Sequence, residues 1–106
     1  MTEFIQVFIT VNDKDKAKEM AGILLEKKLA ACVQISGPVT SLYRWEGSLE
    51  EDQEWLLIIK TGEPLYTELE EQIKKIHDYE VPEILAVPVL DGNKDYLKWL
   101  KNELKK

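Results

Sequence analysis

Five consecutive apolar residues, Trp55-Leu56-Leu57-Ile58-Ile59, sit inside a longer strand-forming stretch from Leu49 to Thr61. A strand sends successive side chains to opposite faces, so a run without polar alternation must be buried on both sides. A chain of 106 residues can build one core but not two. One face of this strand is therefore covered from within the chain and the other from outside it, which predicts self-association.

The same stretch is the second arm of a predicted hairpin. Val39 to Trp45 forms the first arm, and Glu46-Gly47-Ser48 supplies the turn, Gly47 accepting the positive φ that a tight hairpin requires. The second arm is roughly twice the mean strand length of about 5–6 residues. Upstream, Phe4 to Val11 reads as a strand with Ile5, Val7, Ile9 and Val11 on one face. Asn12 is the expected N-cap of a first helix over Asp13 to Lys28, with Asp15 at N3 and with Ala17, Met20, Ala21, Leu24 and Leu25 turned inward. Ala31 to Ser36 is a further strand stretch, ended by Gly37-Pro38.

Pro64 opens a second helix that carries Leu65, Leu69, Ile73 and Ile76 at helical spacing down to His77. Ile84 to Leu90 is the last strand, and Pro88, which has no N–H for the ladder, assigns it to an edge or a bulge. Lys94 to Lys105 closes the chain as a helix with Leu97, Leu100 and Leu104 inward. The order β-α-β-β-α-β-α predicts one α+β domain over residues 1–106, a ferredoxin-like split β-α-β sandwich with a long hairpin and an added C-terminal helix. Right-handed crossovers place both crossover helices on one face of the sheet and leave the other without a helix.

Charge narrows the partners. The formal net charge of −6 repels a phosphate backbone, and no basic stripe offsets it, so nucleic acid is not an expected partner while divalent cations are. Cys32 is the only cysteine, which rules out an intrachain disulfide and sets the cytoplasm as the expected compartment. Leu29-Ala30-Ala31-Cys32 matches a lipoprotein cleavage box, but Glu26-Lys27-Lys28 stands where an apolar stretch would be needed. No apolar run approaches the ~20 residues of a membrane span, so no membrane partner is expected.

The chemistry-bearing stretch is His77-Asp78-Tyr79-Glu80-Val81-Pro82-Glu83, a helix-to-strand turn held by Pro82 that contains the only histidine. One histidine and one cysteine on separate elements do not make a nucleophilic triad, the scattered glycines do not make a phosphate loop, and no enzyme is expected. Structural zinc needs about four ligands, usually Cys or His, where the chain offers two. His77 either caps the helix C-terminus or binds a metal, with Asp78, Glu80 and Glu83 able to complete a mixed nitrogen and oxygen shell. Cys32 reads as inert packing or as a thiolate ligand. The acidic run Glu46, Glu50, Glu51, Asp52 and Glu54 reads as a solvated hairpin tip that discourages edge pairing, or as a weak site for hard cations.

Leu29-Ala30-Ala31-Cys32-Val33, Ser41-x-Tyr43-x-Trp45-x-Gly47, Glu54, Lys60-Thr61, His77-x-Tyr79-x-Val81-Pro82-Glu83 and Tyr96-Leu97-x-Trp99 follow one another along nearly the whole chain. In this combination the sequence resembles the CutA divalent-cation tolerance family. The resemblance implies a cytoplasmic homotrimer paired through its hairpins, similar in architecture to the P-II signalling proteins, and association with Cu2+ and other divalent ions. It also implies a ligand cleft between subunits near Ser41, Tyr43, Trp45, Lys60, Tyr79, Glu83 and Trp99, with His77 the expected metal ligand. Asp78 stands where the family usually has proline, and Ile9 and Ile76 stand where some members have further copper ligands. A P-II-like module that binds a small anion through Lys60 is the alternative reading.

Overall fold

The computed structural model describes residues 3–106. Its strands are β1 (Phe4–Val11), β2 (Cys32–Trp45), β3 (Ser48–Gly62) and β4 (Ile84–Pro88). Its helices are α1 (Lys14–Glu26), α2 (Tyr66–Ile76, preceded by a 3-10 turn at Glu63–Leu65) and α3 (Lys94–Glu103). The sheet order is β2-β3-β1-β4, antiparallel at every junction, which makes the fold a ferredoxin-like α+β sandwich.

β1 and β3 are the central strands because they carry the apolar rows. Their register sets Val7 against Ile59 and Ile9 against Leu57, and these four side chains are fully buried beneath Ala17, Met20 and Leu24 of α1 and Leu69 and Ile73 of α2. β4 takes the edge beside β1, where Pro88 is opposite Ile5, as its missing donor requires.

Alternation along the paired strands puts Phe8, Leu56, Ile58, Leu85 and Val87 on the opposite face. Phe8, Leu56 and Ile58 are half-buried, while Leu85 and Val87 are 60% and 40% exposed. This apolar row lacks the cover that its partner row receives. The sequence suggests a face with no helix at all, but Leu100 of α3 and Leu104, just beyond its end, close over Phe4 at one end of it.

Several boundaries move for local reasons. Asp13, not Asn12, caps α1, because its carboxylate accepts the Asp15 N–H at 3.2 Å; the helix ends at Glu26 rather than Lys28, which takes a φ of 58°. Leu25 is 41% exposed instead of inward. Gly37-Pro38 does not end a strand: β2 runs through it with a register shift between Ser36 and Val39. β4 stops at Pro88, short of Leu90, which is 93% exposed.

Glu46 (φ 48°) and Gly47 (φ 82°) make the two-residue hairpin turn. Arms of 14 and 15 residues carry the hairpin beyond the body of the molecule. The radius of gyration is 14.4 Å, against about 13 Å for a compact domain of this length. Gly37 is required at the bulge because a Cβ there would lie 2.6 Å from Trp55 Cδ1. Gly37→Ala is expected to destabilise the chain by about 1–3 kcal/mol through this overpacking, read as a lower urea midpoint; an unchanged midpoint would contradict the contact.

Candidate functional site

α2 delivers the His77 stretch to the open end of the sheet. The His77 N–H continues the helix to the Ile73 carbonyl at 2.9 Å, after which the chain turns extended towards Pro82. The imidazole is held on both sides. Nε2 lies 2.7 Å from the Thr10 carbonyl at the end of β1, and Nδ1 lies 3.1 Å from the Tyr79 amide nitrogen. A carbonyl only accepts and an amide only donates, so the ring is the neutral tautomer with its proton on Nε2. A metal on either nitrogen would have to displace one of these bonds. Asp78, expected beside the imidazole, instead pairs with Lys16 of α1 at 3.3 Å.

Tyr79 stands edge-on to the imidazole, with ring centroids 4.5 Å apart, and its hydroxyl donates to Glu54 Oε2 at 2.7 Å. Glu54 is only 7% exposed. Burial, together with this hydrogen bond to a carboxylate, pushes the Tyr79 phenol well above its ordinary value. Across the hairpin, the Tyr43 hydroxyl donates to Asp52, one diagonal step along the ladder. That bond raises the Tyr43 phenol to about 12. Both phenols therefore remain protonated donors throughout the neutral range.

A cavity of about 770 Å³ opens between the hairpin and the loop from Tyr79 to Glu83. Ser41, Tyr43, Trp45, Tyr79 and Glu83 of the expected cleft all reach its wall. Asp52, Glu54 and Glu80 join Glu83 there, giving four carboxylates and no lysine or arginine among the lining residues. Lys60 and Trp99 are elsewhere. Lys60 borders a smaller hollow of about 220 Å³, its Nζ 6.0 Å from the Tyr96 ring centroid, and Trp99 packs against that same ring at 5.6 Å. Within one chain the expected cleft residues thus form two separate groups.

The reading of the acidic run as solvated holds for Glu46, Glu50, Glu51 and Asp52, all exposed, but not for Glu54. The missed signal is parity: Glu54 shares its strand face with Leu56 and Ile58, so it enters the same partly enclosed side. The expected donors do not gather into a chelating centre. Among the described residues no three His, Cys, Asp or Glu side chains come together closely enough to hold a metal ion.

Comparison with known proteins gives a consistent picture. The family model described as CutA1 divalent ion tolerance protein matches residues 5–103. The divalent-cation tolerance protein CutA of Thermus thermophilus is 47% identical over 95 residues, covering 90% of this chain and 92% of that one. The chloroplastic protein CutA 1 of rice is 49% identical over 98 residues, covering 92% of this chain, which spans only 55% of the rice protein. The crystal structure of CutA1 from Oryza sativa superimposes with a TM-score of 0.96 at 46% identity, covering 99% of this chain and 96% of that one. The structure of the Thermus thermophilus protein gives 0.94 at 44% identity, covering 96% and 99%.

The Tyr79 bond has a defined pH signature. A phenol raised by folding contributes stability that is fully present below its unfolded value of about 10 and is lost as pH rises through the higher folded value. Tyr79→Phe should cost about 1–3 kcal/mol at neutral pH by leaving a buried carboxylate oxygen unpaired. It should also flatten the fall in stability above pH ~10. Urea denaturation of parent and variant between pH ~7 and ~11 checks both, and parallel curves would contradict the bond.

Proposed function

The chain belongs to the CutA1 divalent ion tolerance family, and from that premise we propose that it acts as a self-assembling, non-enzymatic protein that collects divalent cations, copper among them. The observation that carries this reading is the cavity wall, which presents Asp52, Glu54, Glu80 and Glu83 without a basic side chain. Four carboxylate residues lining one cavity make a negative potential that concentrates cations. Ions held there keep much of their hydration shell, because one chain does not offer a chelating set among its described residues. Binding is consequently weak and removable by a chelator without loss of the fold.

Assembly is the second part of the proposal. A homotrimer joined through its hairpins would cover Phe8, Leu56, Ile58, Leu85 and Val87 and give the projecting arms of β2 and β3 partners. It would also allow the Lys60 and Trp99 group of one copy to approach the cavity of another. The cytoplasm is the proposed location, supported by the single cysteine. The anion-binding alternative would need Lys60 near the ligand, and within one chain Lys60 faces Tyr96 instead.

Ile58→Asp places a charge on the open face without entering the core under the helices. It should give a smaller particle by light scattering with its circular dichroism retained. Leu57→Asp should instead unfold the chain, since Leu57 is fully buried within it. For the cations, calorimetric titration of the assembled protein with Cu2+ and Zn2+ should give weak binding that falls several-fold in Glu54→Gln. Equal affinity in parent and Glu54→Gln would contradict the cavity site. A loss in His77→Ala alone would return the imidazole to the role of ligand, and binding of ATP without any metal ion would favour the anion-binding module.

A further inference from the structure

We draw no further inference here: the strongest candidate, the side-chain cluster of Lys60, Tyr96 and Trp99 beside the hollow of about 220 Å³ between the sheet and α3, carries nothing because it lies on the open face of the sheet and nothing in the structure shows what covers it.

Discussion

The structure depends on β3 having two apolar faces. Leu57 and Ile59 are buried on one side against Ile9 and Val7 and under the two crossover helices. That contact holds the sheet to its helical layer, because fully burying aliphatic side chains contributes roughly 1.5–3 kcal/mol each. Leu56 and Ile58 point the other way beside Phe8 and Leu85, where α3 does not reach. A single chain therefore satisfies half of what its central strand requires.

The same face changes chemistry along its length. From Ile58 and Leu56 the row continues through Glu54 and Asp52 towards the hairpin tip, so the apolar surface passes into the acidic cavity on one continuous strand. Tyr79 links the two regions to α2. Its backbone N–H is held by His77 Nδ1, while its hydroxyl donates to Glu54. His77 also bonds the end of β1, and the turn at Pro82 is thereby tied to both central strands. Rigid support of this kind keeps the cavity wall in place without a bound ligand.

Much of this is legible in the sequence. Period-2 alternation locates β1 and the two-sided β3, the helical spacing of Leu69 and Ile73 locates α2, and the motif order points to the family. Effects that depend on particular partners are not legible. The N-cap falls on Asp13 because its carboxylate, rather than the Asn12 amide, meets the Asp15 N–H. Gly37-Pro38 reads as a strand breaker, yet pairing with β3 carries β2 through it as a bulge. His77 looks available as a ligand, since nothing local reveals that Thr10, 67 positions away, takes one nitrogen. Parity could place Glu54 on the enclosed side, but its position in an acidic run conceals that.

The central claim is that the open face of the sheet is an interface between copies of this chain. Sedimentation equilibrium of the parent protein, followed over a wide dilution series from micromolar concentration at neutral pH, tests it most directly. The account predicts a mass three times the chain's 12.3 kDa, stable at the lower concentrations. A particle of a single chain mass throughout that range would contradict it.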